Sequence, residues 1–177
     1  ANCNNIIQRI EIESVNLFED GKNERDVIKG EALALRAYLH FDILRLFAPS
    51  MKKDDGKNYV PYVETYPCKF QPYTTNKEVI EKTIADLKKA KELVGPFDTA
   101  DVKWMTTRSR FENNNSSGDG RDNLFFAYRG YRMNYYAICA LLARVYNYAG
   151  MHKEAFDEAS LVIDAVIDSY DTPMFEQ

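Results

Sequence analysis

Residues 139–163 read Cys-Ala-Leu-Leu-Ala-Arg-Val-Tyr-Asn-Tyr-Ala-Gly-Met-His-Lys-Glu-Ala-Phe-Asp-Glu-Ala-Ser-Leu-Val-Ile. The stretch divides at Gly150. Leu142, Ala143 and Tyr146 recur at helical spacing before it, and Ala155, Ala159 and Val162 after it. Two helices that cross closely need small side chains at the crossing, bulk on either side and a turn residue between them. Ala143 and Ala155 stop at Cβ, so the two axes can approach to the near end of the roughly 8–10 Å packing range. The pattern predicts a helical hairpin, with one helix over about 130–149 and the next over about 152–169.

Laid on the roughly 34-residue tetratricopeptide pattern, Leu142-Ala143 takes the Leu-Gly pair, Tyr146 the Tyr, and Gly150 the turn. Ala155, Ala159 and Val162 take the inward positions of the second helix, all in one register. Ile167 stands where the pattern ends in Pro. A repeat of this kind cannot bury both faces alone, so a preceding unit is expected.

The upstream sequence can supply it. Ala32, Leu35, Leu39, Phe41, Ile43, Leu46 and Phe47 form a stripe over 24–48, wide enough to be covered on two sides, and Pro49 closes it. Thr75 and Glu78 form a capping box ahead of Val79, Ile80, Ile84, Leu87, Ala90 and Leu93, with a stop expected at Gly95-Pro96. A first helix is expected over 3–18, with Gly21 as its C′ residue. Two long irregular stretches, about 49–75 and 97–123, separate these elements. The predicted fold is all-α: tetratricopeptide-like repeats of about five helices, with two long loops, as a single helical domain over 1–177.

Composition narrows the function. The 177 residues carry 23 Lys and Arg against 27 Asp and Glu, a net charge of −4, which argues against nucleic-acid partners. Two His and three Cys leave little for a metal site, and no phosphate loop or nucleophile elbow is present. No cofactor, metal or enzymatic activity is expected. His40 and His152 read as structural. Arg36, Arg45, Arg132 and Arg144 read as helix residues whose heads pair with carboxylates such as Asp42 or Asp86.

Four segments in series resemble the SusD/RagB family of Bacteroidetes outer-membrane lipoproteins. They are Gly30-Glu31-Ala32 continuing through Leu35-Arg36-Ala37-Tyr38, Phe41-Asp42 and Arg45-Leu46-Phe47; Val60-Pro61-Tyr62; Asn76-Lys77-Glu78-Val79 with Ile84, Asp86-Leu87 and Ala90; and Tyr131 to Tyr146. The resemblance implies a surface glycan-binding protein that lids a TonB-dependent transporter of the SusC type, its helical repeats packed on the barrel. Members of the family are longer, and Cys3 lacks the residues a lipobox places before it, so the chain is read as a central portion of such a protein. The family's sugar-contacting loops lie largely outside this portion. The expected content is therefore scaffold and transporter-facing surface, and no sugar-binding residue is carried over.

Candidate ligand contacts come instead from the aromatic content, 12 Tyr and 10 Phe. Aromatic faces stack on the C–H faces of sugars while amides and charges bind the hydroxyls, and loop aromatics are frequent binding anchors. Trp104, Arg108 and Phe111 in one loop and Tyr59, Tyr66 and Tyr73 in the other are the candidates. A different function, a tetratricopeptide-like adaptor gripping a peptide or protein partner, would use a helical groove. The acidic last helix, with Glu154, Asp157, Glu158, Asp164 and Asp168, is unlike the Lys- and Asn-lined groove of a carboxylate clamp.

Overall fold

A computed structural model describes residues 2–100, 102, 125, 128–166 and 173–175. Five α-helices follow one another: α1 (Asn2–Ile10), α2 (Gly21–Phe47), α3 (Asn76–Asp98), α4 (Tyr135–Ala149) and α5 (His152–Ile163). Each packs on its neighbour in sequence, α2 on α3, α3 on α4 and α4 on α5. The predicted hairpin is present, α4 and α5 lying back to back about Gly150, whose φ of +79° is the left-handed conformation a helix C-terminus favours. With α2 and α3 as the preceding unit, the fold is the all-α, tetratricopeptide-like stack. Phe41, Leu44, Val79, Leu87, Val94, Ile138, Leu142 and Val145 are fully buried between the layers. Among the described residues no helix is long and apolar enough to cross a membrane.

Several boundaries differ from the sequence expectation. The first helix stops at Ile10 rather than Phe18. Ser14 instead caps a short 3-10 turn, Val15–Leu17, its hydroxyl accepting the Asn16 N–H at 3.3 Å. Gly21 opens α2 instead of closing α1, with the Glu24 carboxylate accepting the Asp20 N–H at 3.3 Å. Helix α3 runs through Gly95-Pro96 to Asp98. Gly95 has no Cβ to meet the proline ring, and Thr99 closes the turn with N–H and hydroxyl bonds to the Gly95 carbonyl at 2.9 and 2.8 Å. Helix α4 begins at Tyr135 rather than near 130, because Asn134 caps it by accepting the Ala137 N–H at 2.9 Å. Helix α5 ends at Ile163, since Val166 leaves it to bridge Pro173.

The 49–75 loop is pinned at both ends. Asn76 is fully buried and donates to the Pro49 carbonyl at 3.0 Å and to Asp54 at 3.1 Å. The chain then forms a small antiparallel pair, β1 (Asn58–Val60) with β2 (Thr74–Thr75). Thr75 caps α3 as expected, accepting the Glu78 N–H at 3.2 Å.

Between these ends, a buried polar strut holds the loop to the helices. Arg36 on α2 forms a two-pronged pair with Asp86 on α3, Nε and Nη2 each 2.7 Å from a carboxylate oxygen. Its remaining nitrogen donates to Asn4 on α1 at 3.1 Å, and Asn4 in turn donates to the Val63 and Thr65 carbonyls at 2.9 and 3.3 Å. The Tyr62 hydroxyl donates to Asp86 at 2.7 Å. His40 donates from Nδ1 to the Arg36 carbonyl at 2.8 Å and accepts the Val63 N–H at Nε2, 2.9 Å away. Those partners require the neutral ring, which stacks on Tyr62 with centroids 4.1 Å apart. Arg36 thus pairs with Asp86 and Arg45 with Asp42 as the sequence suggests, while Arg132 finds Glu31 and Arg144 lies over the Phe41 ring.

Gly30 marks the closest approach of α2 to α3. A Cβ there would stand 2.6 Å from Val94 Cγ1, 3.2 Å from the Ala90 carbonyl oxygen and 3.3 Å from Leu93 Cβ. Overpacking costs about 1–3 kcal/mol and Ala improves helix propensity by about 1 kcal/mol. We expect Gly30→Ala to lose up to about 2 kcal/mol in urea denaturation, and a gain would contradict this packing. His40 gives a pH signature. Burial lowers its pKa below the ordinary 6.5. The unfolded chain therefore takes up the proton first, and stability is full above pH 6.5 and falls as the pH drops below it. In urea titrations across this window, the fall should flatten in His40→Gln. An unchanged slope would contradict the buried neutral ring.

Candidate functional site

The strut leaves a cleft on its outer side. Its floor is Tyr62 and the first turns of α3, and its rim is the return of the loop through Gln71, Pro72 and Tyr73. The cleft has a volume of about 260 Å³ and is also lined by Asn58, Thr74, Glu78 and Lys82. Tyr73 is 58% exposed at this rim. Tyr62 is the opposite case. It is buried, and its hydroxyl is committed to Asp86, which together with burial pushes the phenol pKa up, burial acting most strongly.

Two carboxylates flank the one ammonium. Lys82 Nζ lies 2.7 Å from Glu64 and 3.7 Å from Glu78, and 5.7 Å from the centre of the Tyr62 ring. The Glu64 hydrogen bond is the largest influence raising the Lys82 pKa. Glu78 also accepts the Thr74 hydroxyl. The cleft thus offers one aromatic face, two amides and a hydroxyl at its mouth, over a charged group already partnered. That set suits a polyhydroxylated ligand.

The sequence candidates separate. Tyr73 lines the cleft. Tyr59 is turned to Asp55, donating its hydroxyl at 2.8 Å. Lys57 joins the same turn and, with Tyr59, holds the Asp55 carboxyl down to about 2, the Lys57 hydrogen bond contributing most. Tyr66 is exposed beside a cis peptide bond to Pro67, with its N–H on Gln8 at 3.3 Å, and does not line the cleft. Trp104, Arg108 and Phe111 lie outside the described residues. Sequence reasoning missed Asn58, Gln71, Glu78 and Lys82. Gln71 had a usable signal, an amide two residues from a loop tyrosine, whereas Lys82 is one of many helix lysines until the loop folds over it.

A wider groove of about 610 Å³ opens where α3, α4 and α5 meet, lined by Thr99, Tyr135, Tyr136, Ser160 and Asp164 among others. Its aromatic rings are already engaged. Tyr135 and Tyr136 meet edge to face at 5.3 Å, Lys91 sits 5.4 Å from the Tyr135 ring, and Phe175 packs on Tyr136 at 5.9 Å. The Tyr73 cleft is therefore the better candidate.

Known proteins agree with the fold and give it a family. Residues 1–110 match the SusD-like family described as starch-binding, associating with outer membrane. No curated protein matches the chain. Among solved structures, it superposes on a candidate sugar-binding protein of Bacteroides vulgatus with a TM-score of 0.64 at 28% identity, over 90% of this chain and 29% of that one. A SusD superfamily protein of Bacteroides thetaiotaomicron gives 0.62 at 26% identity, over 91% of this chain and 29% of the other. A SusD-like carbohydrate-binding protein of Bacteroides vulgatus shares the fold at 0.64 with 19% identity, covering 96% of this chain and 30% of its own. The chain thus spans about 29% of the length of the first two of these relatives. With the family matched over more than half the chain and the helical order shared with these structures, the chain belongs to the SusD-like family.

Proposed function

We propose that this chain belongs to a non-enzymatic glycan-binding protein of the outer membrane, which delivers oligosaccharide to a TonB-dependent transporter of the SusC type. The observation that carries the reading is the exposed Tyr73 lining one cleft with Gln71 and Asn58, in a chain of a family described as starch-binding. The ring would stack on the C–H face of a pyranose, and the amides would exchange hydrogen bonds with its hydroxyls. Preorganisation of the loop by the Arg36–Asp86 strut would reduce the ordering cost of binding.

A second surface supports the transporter part of the reading. Leu35, Leu39, Ile43, Leu46 and Phe47 are 41–75% exposed along the outer side of α2. Contiguous apolar side chains on a water-facing helix mark an interaction surface. This ridge would seat the helical body on its partner, and none of its residues lines the cleft.

Titration of the chain with maltotriose and other neutral trisaccharides tests the cleft. Tyr73→Ala should weaken binding roughly tenfold, the scale of one lost aromatic contact, while Tyr59→Ala leaves it unchanged. Absence of any glycan binding, or equal affinity in Tyr73→Ala, would refute the assignment. For the ridge, Leu39→Glu combined with Leu46→Glu should abolish co-purification with a co-expressed SusC-type transporter and retain glycan affinity. Undiminished co-purification would refute the seat.

A further inference from the structure

We infer that the Tyr73 cleft selects uncharged sugar units, one or two rings at a time, and discriminates against sugars bearing a carboxylate or sulfate. The inference rests on the glycan reading of the cleft and adds its charge preference. Among the described lining residues, Lys82 alone carries positive charge. Two carboxylates hold it: Glu64 at 2.7 Å and Glu78 at 3.7 Å. The local sum of these three groups is one net negative charge. The remaining polar groups of the lining, Asn58, Gln71, Thr74 and the Tyr73 phenol, are neutral, and the Tyr62 hydroxyl is already given to Asp86. Asp86 itself is matched by Arg36, behind the floor.

An anionic sugar entering this space meets net repulsion and no free cation among the described lining residues. Lys82 keeps N–H donors beyond the one given to Glu64, but an anion that takes one of them is brought up against both the Glu64 and Glu78 carboxylates. The three side chains are 35–50% exposed, so solvent screens the effect, and the discrimination is modest. The size limit follows from the volume. About 260 Å³ lies below the roughly 300–1,000 Å³ of clefts that enclose drug-sized ligands, so the cleft covers one or two rings and the rest of a longer glycan would lie outside it.

Calorimetric titration of the full chain with maltotriose, cellotriose and galactotriose tests this, each against the same trisaccharide oxidised to the C6 carboxylate at its non-reducing end. For every neutral trisaccharide that binds, the oxidised form should bind roughly three- to tenfold more weakly at low salt. The gap should narrow as salt is raised, and narrow again in Glu64→Gln, which removes one of the two carboxylates on Lys82 without changing a lining residue. Oxidised sugars binding as tightly as their neutral counterparts, or a gap that ignores both salt and Glu64→Gln, would overturn the charge preference and leave glycan binding standing. Failure of every trisaccharide, neutral or oxidised, would overturn both.

Discussion

The two-pronged Arg36–Asp86 pair is the contact on which the rest of the structure depends. It joins α2 to α3 at the centre of the first repeat, and both α1 and the 49–75 loop are tied to its members. Asn4 attaches α1 to the guanidinium, Tyr62 attaches the loop to the carboxylate, and His40 reads the Arg36 carbonyl on one side and the Val63 N–H on the other. A buried ion pair is not in itself a strong source of stability, because desolvation offsets much of the attraction. Losing one partner, however, leaves an uncompensated charge and costs about 3–5 kcal/mol. Here burial works most strongly against the charged guanidinium, and the Asp86 hydrogen bonds and charge, together with Tyr62 and Glu64, offset it. The pair therefore acts mainly to specify geometry. An alternative loop path would strand one of its members.

A second arginine repeats the device at the next junction. Arg129 is fully buried and meets Asp98 at the end of α3 with Nε and Nη2, each at 2.8 Å, while its third nitrogen reaches Glu31 on α2. Asp98 also accepts the Tyr135 N–H at 2.7 Å, at the start of α4. The entry into the second repeat is thereby fixed to the exit from the first. Apolar layers hold the helices together, and these two arginine centres decide how the non-helical chain runs between them. The cleft inherits its shape from the first centre, since its Tyr62 floor hangs from Asp86.

Much of this arrangement is legible in the residues. Helical periodicity and the small Ala143 and Ala155 suffice for the α4–α5 hairpin, and Pro49, Thr75 and Gly150 mark ends that the structure keeps. The boundaries that moved are those where a distant partner outweighs a local signal. Gly95-Pro96 reads as a stop, yet Asp98 is drawn into a last turn by Arg129 and by the Tyr135 N–H. The end of α5 reads as helix, yet Val166 pairs with Pro173. The cleft was legible only at Tyr73. Asn58 and Lys82 are 24 residues apart and meet because the loop doubles back through the β1–β2 pair, a non-local event that periodicity and turn chemistry do not encode.

The central claim is a preformed sugar cleft suspended from a buried ion pair. Amide-resolved NMR of the full chain, titrated with a neutral trisaccharide, tests it most directly. The account predicts that shifts concentrate on Asn58, on residues 71–74 and on the first turns of α3, with the signals of Arg36, Asp86 and Val63 in place before and after saturation. Shifts confined to α4 and α5, or a wholesale rearrangement of the Arg36–Asp86 signals on binding, would contradict it.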